Sequence, residues 1–207
     1  MMRHRRGAAR ALHVAMAGRA RGVRRLDCRM SRIASIVREA AVSGALASAL
    51  STAVLVLAGR RESRSGAAPL NATSQWLWGP AEAHGCQRTD RRHTLSGYLI
   101  HHGACTFWAA MHSAALARTR VPERPLPALA AGAATAAMAA LVDLKCTPER
   151  LTPGFQHRVS VPALVATYGA FALGLALGGL AVRRARPRRH GQQAGAAAPA
   201  SGNAPPG

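Results

Sequence analysis

Three histidines lie inside one uncharged stretch, HTLSGYLIHHGACTFWAAMHSAALA (residues 93–117): His101, His102 and His112, with His93 at its start. Imidazole serves as a metal ligand, a proton carrier or a neutral hydrogen-bonding group, and each use demands different company. At about 100° per residue, His101, Cys105, Trp108 and His112 share one helical face. Eleven residues rise about 16 Å, which puts His101 and His112 too far apart to ligate one ion, whereas His101 and Cys105 are one turn apart. Asp143, at the end of a later apolar run, and His93 and His157, in connectors, are the candidate partners.

A carboxylate at membrane depth is costly and tends to have a partner or a function. The simplest partners for Asp143 are His101, Arg150 and Arg158. A set of His, Cys and Asp ligands suits zinc or a similar divalent metal, although nothing in the sequence requires a cofactor. A paired-histidine haem would need a second span offering histidine at matching depth. No other apolar run contains one, so only a dimer would supply it. The plainer reading gives each histidine a neutral ring bonded to a serine, threonine or backbone carbonyl on a neighbouring helix.

The elements that must position these residues follow from the charge pattern. Four runs lack Asp, Glu, Lys and Arg: residues 40–59, 93–117, 126–142 and 159–182. A bilayer core needs about 20 apolar residues in a helix, with about 17 as the lower limit. The third run, LPALAAGAATAAMAALV, sits at that limit and is mostly alanine. The expected fold is therefore all-α, a transmembrane helix bundle of four spans at about 40–59, 95–117, 126–142 and 160–182. A three-span alternative leaves the alanine run on or in the protein. A soluble bundle would need polar stripes at a period near 3.6, and VSVPALVATYGAFALGLALGGLAV has no charge on any face. Small residues recur at four-residue spacing, as in Gly44/Ser48/Thr52, Ala128/Gly132/Ala136/Ala140 and Ala170/Gly174/Gly178. Such stripes let helices approach closely, within one chain or in a homodimer.

The formal charge of +20 does not describe a nucleic-acid-binding face, because it is confined to flanks. Of the 28 basic residues, 19 lie in the N-terminal segment, the loop 118–124 and the tail 183–189, which places both termini in the cytoplasm of a bacterial inner membrane. Residues 1–39 form a basic segment that would also fit an over-extended gene start, with Met16 or Met30 as initiator; removing residues 1–29 deletes nine arginines and leaves the two sides nearly balanced. The tail within 183–207 is basic, then small and polar, with the composition of a disordered segment. The expected partners are the lipid bilayer, a second copy or another membrane protein, and no specific nucleic acid.

Two connectors face the other side. Trp76 and Trp78, followed by Gly79-Pro80, read as interfacial anchors, because indole favours the headgroup zone. Cys86 and Cys146 fall on that same side, where an oxidising compartment permits a disulfide; Cys28 is cytoplasmic and Cys105 buried. Thr147-Pro148 and Thr152-Pro153 each resemble a helix N-cap with proline at the first position.

HTLSGYLIHHGACTFWA together with DLKCTPERLTPGFQHR resembles a family of small bacterial multi-span inner-membrane proteins with no known activity, over about residues 31–182. The chain departs from that family in having Leu144 where the family has an aromatic residue and Gln156 where it has an acidic one. The resemblance implies the spans and carries no catalytic role. No nucleophile with its base, phosphate-binding loop or carboxylate pair stands out. The expected function is structural or accessory, against a metal- or proton-handling transporter subunit and, third, a metal-dependent membrane enzyme at the His101/Asp143 site.

Overall fold

The computed structural model describes the backbone of residues 2–119, 121 and 123–185, with side chains from Leu26 onward except Cys28. The tail beyond Ala185 and the side chain of Cys28 lie outside the described residues. Seven α-helices account for most of the chain: α1 (Met2–Glu62), α2 (Ala68–Thr73), α3 (Gln75–Trp78), α4 (Pro80–Gly85), α5 (Ser96–Leu116), α6 (Pro125–Leu141) and α7 (Val161–Arg184). Among the described residues there is no strand. The first helix starts far ahead of its apolar run, because the preceding Ala- and Arg-rich segment is itself a strong helix former.

Three helical segments are long and apolar enough to cross a membrane: Arg29–Glu62, Pro125–Cys146 and Val161–Arg184. The alanine-rich run is among them, because the π-helical turn Val142–Cys146 extends α6 to 22 residues. The fourth expected span, α5, has 21 residues and no charge, but its three histidines leave it outside that set. The marginal segment is therefore the histidine helix, and not the short alanine run that the sequence singled out.

The bundle is built around α7 and the apolar C-terminal part of α1, which meet from Glu39–Arg183 at one end to Glu62–Ser160 at the other; α5 lies on the other flank of α1, and α6 lies on α7. At the tight crossing the Gly174/Gly178 stripe of α7 meets Ser43 and Ala47 of α1, while Gly44 of the expected α1 stripe faces Thr106 of α5. A Cβ on Gly174 would stand 2.3 Å from Ala47 Cα, and one on Gly178 would stand 2.5 Å from Ser43 Cα. Only hydrogen at those two positions permits backbone contact, so the stripes expected to serve either a bundle or a dimer are used inside the bundle. Near the same end Arg183 grips Glu39 with Nε and Nη2 at 2.8–3.2 Å, and both side chains are nearly enclosed.

The opposite end is capped by the connectors. Residues 68–75 are wholly buried, wedged against α5 and the 149–157 loop. Gly97 makes the wedge fit, since a Cβ there would fall 1.9 Å from the Leu70 carbonyl oxygen. Gln75 Nε2 donates to the carbonyls of Glu149 and Thr152, both at 3.0 Å. Glu62 closes the corner by accepting from the backbone N–H and hydroxyl of Ser160, the N-cap of α7. The two Thr-Pro steps flank 3₁₀ turns, Glu149–Leu151 and Phe155–His157, without capping them. Thr147 Oγ1 donates backward to Val142 O and Thr152 Oγ1 to Glu149 O, and Thr152 Oγ1 in turn accepts from the side-chain amides of Gln75 and Gln156.

Candidate functional site

Packing is tight between α1 and α7 and sparse between α5 and α6. The unfilled space beside α5 is a cavity of about 470 Å³ at the capped end, within the usual range for small-molecule pockets. Its wall is mostly apolar and aromatic, with Phe107, Trp108, Phe155 and Phe171 prominent. Polar groups interrupt it at Ser51, His101, Cys105, Asp143 and Tyr168. Gly103 and Ala104 of α5 face Ala139 and Val142 of α6 across it. Phe107, which lines the cavity, is 59% exposed, and Leu99, Met138 and Leu141 on the same two helices are about half exposed, so the outward faces of α5 and α6 carry apolar side chains.

The face expected to hold His101 and Cys105 is buried, and the two residues meet, Sγ to Nε2 at 3.6 Å. The closer partner of His101 is Ser51 Oγ on α1, at 2.8 Å from Nε2. Ser51 also donates to the Ala47 carbonyl at 2.7 Å, which fixes its oxygen as an acceptor toward the ring. Phe155 stands edge-on to the imidazole at 5.9 Å. His112 bonds Thr135 Oγ1 of α6 at 2.8 Å, and His102 stacks on Tyr98. For His101 and His112, then, the partners are hydroxyls of neighbouring helices.

Asp143 shares the cavity with His101, but its partner is neither that histidine nor an arginine. Tyr168 of α7 donates its hydroxyl to Asp143 Oδ2 at 3.1 Å, while Arg158 is turned away to the His84 carbonyl. Ser51, Tyr168, the Trp108 indole and the threonines Thr73, Thr147 and Thr167 add to the polar lining. A sequence reading cannot find Ser51 and Tyr168, because both reach the cavity through helix crossings that no local pattern reveals.

The remaining expected site residues lie elsewhere. His157 lies against His84 with ring centroids 5.5 Å apart and the planes tilted by 42°, and His84 Nε2 meets Gln75 Oε1 at 2.9 Å. Burial, with His157 and the Arg158 guanidinium behind it, pushes His84 below its usual pKa range. His93 is buried between two carboxylates, Nδ1 to Asp90 Oδ2 at 2.9 Å and Nε2 to Glu82 Oε1 at 3.2 Å. The His93 backbone N–H, followed by its ring, holds Asp90 well below the usual carboxylate range. Burial and the Asp90 acceptor push the Cys86 thiol up. Among the described residues, Cys86, Asp90 and His93 form the one group of three such side chains whose ligand atoms lie within 4.8 Å of one another. His101, Cys105 and Asp143 thus share a cavity without sharing a coordination sphere. The C-x₃-D-x₂-H spacing of residues 86–93 was the available signal for that cluster.

The disulfide expected between Cys86 and Cys146 is not formed; both are free thiols. Cys86 Sγ turns inward to Asp90 Oδ2 at 3.3 Å and Asn71 Nδ2 at 3.4 Å, whereas Cys146 is exposed at the end of its π-helical turn. Trp76 and Trp78 are each more than a third exposed, with indole N–H groups donating to the carbonyls of Thr152 and Arg92 at 3.0 Å. The Arg92 guanidinium lies 4.3 Å over the Trp78 ring. In a comparison with known proteins, no family model, curated protein or solved structure matches the chain.

Proposed function

We propose that this chain is a four-span protein of a bacterial inner membrane, with cytoplasmic termini, that acts as an accessory binding protein for a membrane amphiphile. The observation that carries the reading is the cavity beside α5: about 470 Å³, apolar-walled, with a small cluster of hydrogen-bonding groups at Ser51, His101, Asp143 and Tyr168. Few precisely placed polar groups in an apolar wall suit a molecule with a large apolar body and one hydrogen-bonding head. The exposed apolar residues around the α5–α6 gap support entry from lipid, and the arginine asymmetry supports the outer leaflet as its source. The four-span topology rests on α5 being uncharged and on its buried histidines having helix partners.

The test is organic extraction and mass spectrometry of protein purified in mild detergent, beside Gly103→Phe. A Cβ on Gly103 meets no atom within 4 Å, so Phe there obstructs the cavity without forcing the helices apart. A near-stoichiometric amphiphile in the native chain, reduced at least tenfold in the variant, is expected. The same lipid carry-over in both would remove the proposal.

A proton-handling transporter subunit is the second reading, favoured by His101 and Asp143 lining one cavity. It requires that His101→Ala and Asp143→Asn each abolish proton movement in proteoliposomes while the amphiphile is retained.

A further inference from the structure

We infer that Cys86, Asp90 and His93 form a zinc-type divalent metal site on the capping loop, separate from the cavity. Their ligand atoms already converge, with Asp90 Oδ2 2.9 Å from His93 Nδ1 and 3.3 Å from Cys86 Sγ. Zinc bonds of about 2.0–2.3 Å at tetrahedral angles place such ligand atoms about 3.3–3.6 Å apart. Entry of the ion requires those contacts to open by only a few tenths of an ångström.

The surroundings hold each ligand as a metal site needs it. Asp90 is the N-cap of the π-helical turn that leads into α5, and its Oδ1 accepts the His93 backbone N–H at 2.5 Å, which leaves Oδ2 for the ion. Glu82 takes the Nε2 side of His93, while Nδ1–H donates to Asp90 Oδ2, and the ion would take the place of that proton between the two ligand atoms. A carboxylate behind a ligating imidazole is the usual arrangement that fixes its tautomer and raises its basicity. Asn71, fully buried, donates Nδ2 to the Cys86 and Arg88 carbonyls at 3.0 and 2.9 Å and approaches Cys86 Sγ at 3.4 Å. Thr94 Oγ1 donates to Asn71 Oδ1 at 2.6 Å, which sets the amide with its N–H groups toward the sulfur. One thiolate, one imidazole and one carboxylate favour zinc over calcium or magnesium, and three protein ligands leave a position for water.

Purified full-length protein, stripped with chelator and titrated with Co²⁺ and Zn²⁺, tests the site. One Co²⁺ per chain with a thiolate-to-cobalt charge-transfer band, displaced by Zn²⁺, is expected. Cys86→Ser should abolish the band, Asp90→Asn and His93→Gln should weaken binding at least tenfold, and Glu82→Gln should weaken it by about 10- to 100-fold. Cys146→Ser should change nothing. X-ray absorption on the zinc-loaded native chain, which depends on no variant folding, should give one sulfur with the remaining ligands nitrogen or oxygen. Absence of tight binding, a spectrum without sulfur, or a band that follows Cys146 would overturn the site.

Discussion

The two ends of the bundle solve opposite problems with the same helices. Toward the Arg183 end, Gly174 and Gly178 let α7 lie backbone to backbone on α1, and the Glu39–Arg183 pair is enclosed beside them. At that crossing the backbones themselves are in contact, and the open space at this end, about 280 Å³, lies beyond it among Arg32, Glu39, Leu116, Thr119 and Arg183. At the capped end α5 stands away from α6, and side chains as large as Trp108, Phe155 and Phe171 still leave about 470 Å³ open. A core can be filled by backbone when small residues stripe a helix, whereas aromatic rings of fixed shape leave gaps. A glycine therefore means different things at the two ends: Gly178 is an obligatory contact, and Gly103 is free space.

The sharpest break of that comparison is a pair of substitutions. Gly178→Leu should cost about 3 kcal/mol or more, because the obstructing atoms belong to the Ser43 backbone and cannot rotate away. Loss of monodisperse protein on size-exclusion chromatography is the expected readout. Gly103→Phe should leave the elution profile and thermal midpoint unchanged or slightly raised; equal damage from both would erase the distinction. Next in size is Glu39→Ala, which leaves Arg183 enclosed without its main partner and should cost about 3 kcal/mol. In that same experiment Glu39→Gln combined with Arg183→Met should recover most of the loss, measured by thermal unfolding in detergent. Ser51→Ala should cost about 1 kcal/mol through the lost bond to His101 and lower amphiphile retention. Trp78→Phe removes an indole N–H bond and weakens the contact with Arg92, and should shift the thermal midpoint least, by an amount equivalent to about 0.5–1 kcal/mol.

Much of the scaffold was legible because apolar runs and charge gaps are local signals. Residues 93–117, 126–142 and 159–182 nearly coincide with α5, α6 and α7, since charge ends a membrane-type helix on both sides. The wedge at residues 68–75 was not legible. NATSQWLW reads as a polar, solvent-facing connector with two anchors, yet Asn71 and Gln75 are fully buried by partners 9 to 77 residues away. The same limit applies to Asp143, whose Tyr168 partner sits on another helix. His101 illustrates the mixture: its face was readable from helical periodicity, and its Ser51 partner was one of several hydroxyls on α1 that could have served.

The most direct test of the central claim uses Trp108, which lines the cavity. With Trp76 and Trp78 replaced by phenylalanine it is the only tryptophan left in the chain. Reconstituted into bilayers whose acyl chains carry bromine near the headgroup, this protein should show strong quenching of Trp108 fluorescence, and Gly103→Phe should remove most of it. Quenching of equal depth with the cavity open or obstructed would mean that Trp108 senses only bulk lipid, and that no amphiphile occupies the cavity.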